Sequence, residues 1–200
     1  MGYSALDISI KKIEKSRIRE VDALNINFGK HYSDHMLIAH YENGAWNPPE
    51  IMPFHNLYLS PATTFMHYGQ AIFEGMKAYK DAQDDVWLFR ADENFKRFNK
   101  SAERLAMPQI SEEIFVDGLK TIIDLERDWV KKGMGNSLYI RPFMIATGSG
   151  VMAQPSSEYR FMILLSPAKS YYSGDVKVIV AEHFSRAANG GIGAAKAAGN

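Results

Sequence analysis

Two stretches of helical periodicity lie side by side in the middle of the chain, with strand-like runs on both sides. No other feature constrains the fold as much. In "ADENFKRFNKSAERLAMP" (91–108), Phe95, Phe98, Ala102 and Leu105 share one face, Asp92 is placed to cap the N-terminus and Pro108 closes the element. In "SEEIFVDGLKTIIDLERDWVKKG" (111–133), Ser111 is the expected N-cap and Glu112 and Glu113 complement the first turn. Lys131, Lys132 and Gly133 mark its expected end. Upstream, "HMLIAHYENGAW" (35–46) reads as a strand and an Asn43-Gly44 hairpin turn. "MKAYKDAQDDVWLF" (76–89) reads as two strands joined by an acidic turn. Downstream come three strand-like runs: "SLYIRPFMIAT" (137–147), "YRFMILLSPA" (159–168) and "VKVIVAEH" (176–183). Strands, then helices, then strands predict an α+β domain. The stretch "SPAKSYYSGD" (166–175) carries Ser, Pro and Gly between two apolar runs and reads as a linker. The expected organisation is an N-terminal α+β domain over 1–170, with 171–200 opening a second unit.

Composition supports a packed core and narrows the partners. Of 200 residues, 46% are hydrophobic and 23% charged, ordinary values for a globular chain. Lys plus Arg equals Asp plus Glu at 23 each, which argues against an electrostatic grip on nucleic acid or anionic lipid. A local cationic pocket for a small anion stays open. With no cysteine there is neither a disulfide framework nor a thiolate metal site. The opening "MGYSALDISIKKIEKSRIRE" has no apolar signal core, and "MGYSAL" has Leu6 where a myristoylation signal has Ser or Thr. No run reaches the ~18 apolar residues of a membrane span. A cytoplasmic protein is expected. His31, His35 and His40 lie near one another, but only Asp34 accompanies them, so they are assigned structural or surface roles and no metal site is expected.

The chain finishes in "GGIGAAKAAGN", where Lys196 is flanked by Ala194, Ala195, Ala197 and Ala198. A phosphate-cradling P-loop requires Gly directly before the Lys and Ser or Thr directly after it. Gly193 is two residues too early and Ala197 lacks the hydroxyl. A dinucleotide fingerprint fails too, because Lys196 stands where the third Gly belongs. A lysine that forms a Schiff base with a planar carbonyl cofactor fits better, since apolar neighbours favour the neutral, nucleophilic amine and small ones admit a flat ring. The competing reading is a flexible Gly/Ala tail with one solubilising lysine.

Three motifs in order, "HYGQAIFEGMKAY", "SLYIRPFMIAT" and "RAANGGIGAAKAAGN", resemble the branched-chain amino acid aminotransferases, which are fold-type IV pyridoxal phosphate enzymes. The resemblance runs from about residue 30 to the last residue. It implies the N-terminal α/β domain of that fold, followed by the first strand and lysine loop of the second domain. It also implies that Lys196 carries pyridoxal 5'-phosphate and that Arg97, on the first long helix, binds the cofactor phosphate. A guanidinium suits that task through two parallel charge-assisted bonds. Read without the resemblance, Arg97 is one half of an i,i+4 surface pair with Glu93, and its removal would cost little folding stability.

By the same resemblance Tyr68 and Phe73 contribute to the substrate side-chain pocket, and Tyr139 and Arg141 place carboxylates. Tyr139 and Arg141 lie two apart on a strand and therefore share a face. The implied reaction moves the amino group of leucine, isoleucine or valine to 2-oxoglutarate in a cytoplasmic homodimer. The alternatives are a D-amino-acid transaminase, an aminodeoxychorismate lyase or a non-catalytic binding domain. The family carries a tyrosine just after the motif ending in Asn200 and a later glutamate for the pyridine nitrogen. Neither lies within 1–200, so the chain is expected to cover the N-terminal part of the enzyme. Residues 176–200 should then lean on nothing in the first domain, with Lys196 solvated and frayed.

Overall fold

The structure, a computed structural model, describes residues 7–21, 26, 28–169 and 174–199. The chain runs β1 (Ser9–Ile10), β2 (His35–Glu42), β3 (Ala45–Trp46), β4 (Glu50–Pro53), α1 (Phe65–Tyr68), β5 (Ala71–Phe73), β6 (Met76–Lys80) and β7 (Val86–Leu88). It continues with α2 (Ala91–Arg104), α3 (Gly118–Leu125), β8 (Ser137–Ala146) and β9 (Tyr159–Ala168). One mixed sheet has the order β1-β4-β2-β9-β8-β6-β7, with β3 added to β2 and β5 to β8. The β1–β4 pair is parallel and the other strand pairs are antiparallel. This is the expected mixture of helices and sheet.

Period-two patterning assigns the two faces of the long central pair. Leu138, Ile140 and Met144 of β8 and Phe161, Ile163 and Leu165 of β9 point into the main core. There α2 and α3 cover them through Phe98, Ala102, Leu119 and Ile122. Phe98, Phe115 and Phe161 pack ring against ring with centroids 5.4–5.7 Å apart. The odd residues of β8, Tyr139 to Ile145, face the other way.

Most expected elements are present, with local differences. Asn43 (φ 54°) and Gly44 (φ 81°) form the hairpin turn in the left-handed region that Asn and Gly tolerate. Helix α2 starts one residue before Asp92: Arg90, at φ 52°, is the N-cap and Asp92 lies inside the first turn. Ser111 does cap the second helix, its Oγ accepting the Ile114 N–H at 3.3 Å. That helix opens with a wide π turn over Glu113–Asp117 and its α-helical part ends at Leu125, earlier than Lys131. A 3₁₀ turn, Arg127–Trp129, then buries Trp129.

The main correction concerns 176–183. This run forms no strand, and Val178, Ile179 and Val180 are exposed. No described strand lies beside it, so its ladder groups have nothing to pair with. The expected linker also shifts: Ser166, Pro167 and Ala168 are the end of β9, while 170–173 and the 170/171 boundary lie outside the described residues, as do residues 1–6 and Asn200.

His35 is a buried structural residue. The Ile13 N–H donates to its Nε2 at 3.0 Å, so Nδ1 carries the proton and donates to the buried Glu126 carboxylate. Burial pushes the Glu126 carboxyl up. Burial also acts to raise Asp34, but donors from Ser16, the Arg17 backbone and Trp129 outweigh it and hold Asp34 low.

Candidate active site

The site is built around the short strand β5 and the residues after it, "AIFEG" (71–75). β8 meets two strands along one edge: β6 opposite Leu138–Ile140 and β5 opposite Phe143–Ile145. Glu74 and Gly75 span the gap between them. Pro142 stands opposite this break and accepts the Glu74 N–H at 2.7 Å. A residue's N–H and C=O leave the same side of a strand, so the donor that Pro142 lacks would have pointed into the same gap. The proline of "YIRP" therefore sits in a central strand where the ladder is already interrupted.

Residues 196–198 occupy the free side of β5. The Phe73 N–H donates to the Lys196 carbonyl at 3.1 Å, and the Ala198 N–H donates to the Ala71 carbonyl at 2.9 Å. Ile72 and Ala197 form an antiparallel bridge. From α2, the buried Ser101 Oγ accepts the Lys196 N–H at 2.9 Å. Ala195 and Ala197 are each 3% exposed. The expectation of a solvated, frayed Lys196 is thus corrected: two backbone bonds to β5 and one to the Ser101 hydroxyl pin it, and it is half-buried. The expectation holds upstream, where Ile179 (97%) and Phe184 (88%) are exposed. Small residues let the loop fold on itself: a Cβ on Gly193 would lie 2.4 Å from the Ala187 Cβ.

Phe73 is the wall that several site residues share. Lys196 Nζ lies 4.6 Å from its ring centroid and the Arg141 guanidinium carbon 4.7 Å. Both contacts are of cation–π type. Tyr139 and Arg141 do share a face, since Arg141 Nε and Nη2 donate to the Tyr139 hydroxyl at 3.1 and 2.8 Å. That hydroxyl packs so closely on Gly75 that a Cβ there would lie 2.5 Å from it. A cavity of about 670 Å³ opens on this face, lined among others by Phe28, Tyr32, Phe73, Tyr139, Arg141 and Phe143. Ser166, opposite Tyr139 across the β8–β9 pair, also lines it, and its buried Oγ has no hydrogen-bond partner. An orphaned buried hydroxyl at a cavity wall is a group that a polar ligand can satisfy.

A second cavity, of about 400 Å³, is lined by Arg97, Arg186, Ala187 and residues 193–196. Arg97 and Ser101 are four apart on α2, so one helix face supplies both the guanidinium beside Lys196 and the hydroxyl beneath its backbone. Arg97 does not pair with Glu93. Its Nε and Nη2 donate to Glu74 Oε1 and Oε2 at 2.5 and 2.7 Å, and Glu74 is fully buried. The Glu74 carboxylate raises the Arg97 guanidinium further above its usual range. Arg97 is therefore not an expendable surface residue, because its loss would leave a buried carboxylate without its counter-charge.

Tyr68 is placed apart from this group. It ends α1, is 43% exposed and donates its hydroxyl to the Val151 carbonyl. It lines neither cavity.

The chain is 46% identical over 184 residues to Branched-chain-amino-acid transaminase 1 of Bacillus subtilis, covering 90% of this chain and 52% of that protein. It is 40% identical over 188 residues to a branched-chain-amino-acid aminotransferase of Mycolicibacterium smegmatis, covering 92% and 51%. The chain belongs to the branched-chain-amino-acid aminotransferase family. No family model matches it. A crystal structure of the Escherichia coli branched-chain amino acid aminotransferase superposes with a TM-score of 0.59 over 81% of this chain and 50% of that one, at 22% identity, which shows the fold. The chain spans about half the length of the curated relatives it matches.

Four further residues of the candidate site do not stand out in the sequence: Glu74, Gly75, Ser101 and Ser166. Glu74 and Gly75 stand inside the quoted "FEGMKAY", so their place was marked and only their partners were hidden. Ser101 could have been found as a hydroxyl one turn after Arg97 on the apolar face of α2. Ser166 had a weaker signal: a polar residue in the cavity-facing phase of β9.

Proposed function

We propose that this chain forms part of an aminotransferase that moves the amino group of leucine, isoleucine or valine to 2-oxoglutarate, with pyridoxal 5'-phosphate held on Lys196. The observation that carries this reading is that Lys196 and Arg97 line one cavity while Arg141 and Tyr139 line another, with Phe73 touching both Lys196 and Arg141. The residues fit such a cofactor. An amine, a guanidinium and a Gly/Ala wall suit a flat ring with an anionic group, and Arg97 keeps its Nη1 edge for a phosphate.

Bound pyridoxal phosphate supplies the electron sink of the reaction. Lys196 would hold the cofactor through Nζ, and the same amine would serve as the base that moves the proton at the substrate Cα. The pinned backbone of Lys196 limits how far Nζ can stray from that position. Arg141 and Tyr139 take a carboxylate, and the aromatic cavity around Phe28, Phe73 and Phe143 excludes water from a branched aliphatic side chain. With a charge at the rim and an apolar interior, one pocket can take leucine and glutamate in turn. The protein acts in the cytoplasm as a homodimer. Tyr68 and Val151, both exposed and joined by the Tyr68–Val151 bond, offer apolar surface suited to a second copy. Among the described residues no helix is long and apolar enough to cross a membrane.

The test is a substrate panel on the full-length enzyme of which this chain forms part: L-leucine and D-alanine, each with 2-oxoglutarate, and aminodeoxychorismate alone, whose elimination needs no amino acceptor. Turnover of L-leucine that Lys196→Ala abolishes is expected. Turnover of D-alanine or aminodeoxychorismate alone, or a Lys196→Ala protein with wild-type kcat, overturns the reading.

A further inference from the structure

We infer that Glu74 is a positioning residue: it fixes the guanidinium of Arg97 so that the outer edge of that group faces the anionic end of the cofactor. The inference rests on the reading above, in which Arg97 meets the phosphate. It adds a residue whose own charge is wrong for the task, since a carboxylate beside an anion site repels the anion.

The geometry explains why the carboxylate is nonetheless there. Glu74 is fully buried, and each of its oxygens is used. Oε1 accepts Arg97 Nε at 2.5 Å. Oε2 accepts Arg97 Nη2 at 2.7 Å, Asn94 Nδ2 at 2.8 Å and its neighbour's Gly75 N–H at 3.2 Å. Its backbone is tied to β8 through the bond to the Pro142 carbonyl at 2.7 Å. The carboxylate therefore cannot swing. An arginine held on its Nε–Nη2 edge by two parallel bonds has a fixed plane, and only its Nη1 side remains to be presented. Unheld, the same side chain on an exposed helix surface would sample many rotamers and lose that entropy again on binding. Arg97 is 54% exposed at its side chain, so packing alone does not immobilise it.

The segment gives Glu74 a second use. The residue before it, Phe73, bonds the Lys196 carbonyl and lies under the Lys196 amine. One dipeptide thus sets the spacing between the amine and the guanidinium, the two groups that would grip opposite ends of one rigid cofactor. Any shift of Glu74 moves the two anchors relative to each other.

Two forces act in opposite directions, which makes the test sharp. If Glu74 acted on the anion only through its charge, removing that charge would tighten phosphate binding. If it acts by positioning, removing it loosens binding. Glu74→Gln keeps the shape but puts an NH₂ group against a donor: at Oε1 it meets Arg97 Nε–H, and at Oε2 it meets three donors. Glu74→Asp keeps the charge but draws the carboxylate back by about 1.5 Å, one carbon–carbon bond.

The experiment measures the affinities of pyridoxal phosphate and pyridoxal for the full chain, wild type and both variants, by spectroscopic titration. Pyridoxal has the ring and the aldehyde but no phosphate. Each affinity is referred to the folded fraction from a parallel melt. We expect both variants to lose affinity for pyridoxal phosphate, on the order of tenfold or more, as supporting residues around a bound group commonly do. Affinity for pyridoxal should stay within about threefold, because the phosphate grip is what the Glu74–Arg97 pair shapes. Equal losses for both ligands would make Glu74 merely structural and overturn the inference, as would a Glu74→Gln variant that binds pyridoxal phosphate more tightly. If Arg97→Lys loses phosphate preference but both Glu74 variants keep it, the phosphate reading stands and the positioning role falls. A wild-type chain with no preference for the phosphorylated ligand overturns both.

Discussion

Strand β9 and residues 176–183 look alike as sequences. "YRFMILLSPA" and "VKVIVAEH" are both apolar, β-branched or aromatic runs of strand length. In the structure they differ as much as two segments can. β9 is hydrogen-bonded on both sides, to β2 and to β8, and buries Phe161, Met162 and Ile163 completely. Residues 176–183 have no ladder and leave Val178, Ile179 and Val180 at 84%, 97% and 84% exposure. The contrast shows what strand propensity means: it describes fitness for a pleated surface that neighbours must complete. A few residues later, order returns without any gain in propensity. "AKAA" (195–198) is poor strand sequence, yet it pairs with β5 because β5 has a free edge and Ser101 stands beside it.

That comparison is most easily broken by truncating side chains on each side of it. Phe161→Ala should cost about 3–5 kcal/mol, the range for emptying a fully buried aromatic site. Ile179→Ala should stay within about 0.5 kcal/mol, as exposed positions do. Paired urea melts of the two variants measure the difference. A comparable loss at Ile179 would mean that 176–183 is packed after all.

Arg97→Ala comes next. It strands the buried Glu74 carboxylate, and a broken buried pair costs about 3–5 kcal/mol when both partners are enclosed. Because Arg97 is half-exposed, water can reach the site, and about 2 kcal/mol is expected instead. The Tm should therefore fall along with phosphate affinity. An unchanged Tm would show that the carboxylate finds other partners.

Acid behaviour sharpens the comparison at the other end of the chain, where 13–17 is held by buried side chains. The Asp34 carboxyl is lower in the folded protein than its ordinary 3.8. Its contribution is fully present above that value and is lost as pH falls through the folded pKa. Glu126 has the opposite sign: raised above 4.5, it favours the fold most below that pH and loses that effect as pH rises through its folded value. Asp34→Asn should flatten the acid limb of a stability–pH curve and cost about 1–2 kcal/mol at neutral pH. A limb that keeps its slope would assign acid unfolding to other groups.

The smallest effect concerns Lys196 itself. Ser101→Ala removes the acceptor of its N–H, worth about 1 kcal/mol. Amide exchange should quicken at Lys196 and Ala198 and stay unchanged at Ile140 in the sheet centre. Residues 176–183 should exchange rapidly with or without the substitution. Protection that vanishes at Ile140 as well would point to global destabilisation.

How much of this was legible follows from what each feature depends on. The hairpin at Asn43-Gly44, the helix over Phe95 to Leu105 and the strands β8 and β9 rest on local periodicity or turn chemistry, and a short window contains all of that. The shared face of Tyr139 and Arg141 follows from strand geometry alone. The Glu74–Arg97 fork joins residues 23 apart with no periodic relation, and the local alternative, Glu93, was the nearer acid. The π turn at 113–117 has no composition signature. The missing strand depended on a partner's absence from the neighbourhood, which no property of "VKVIVAEH" could express. Lys196 stood out by its small neighbours, and the same residues that suggested a ring site also let the loop dock on β5.

The central claim is that β5 and α2 together hold Lys196 as the single lysine poised for a carbonyl cofactor. Adding pyridoxal phosphate to the full chain, reducing with borohydride and mapping the modified peptides by mass spectrometry tests it directly. The account predicts one label, on Lys196, lost in Lys196→Ala. Labelling that falls instead on neighbours such as Lys77 or Lys100, or that survives Lys196→Ala unchanged, would contradict it.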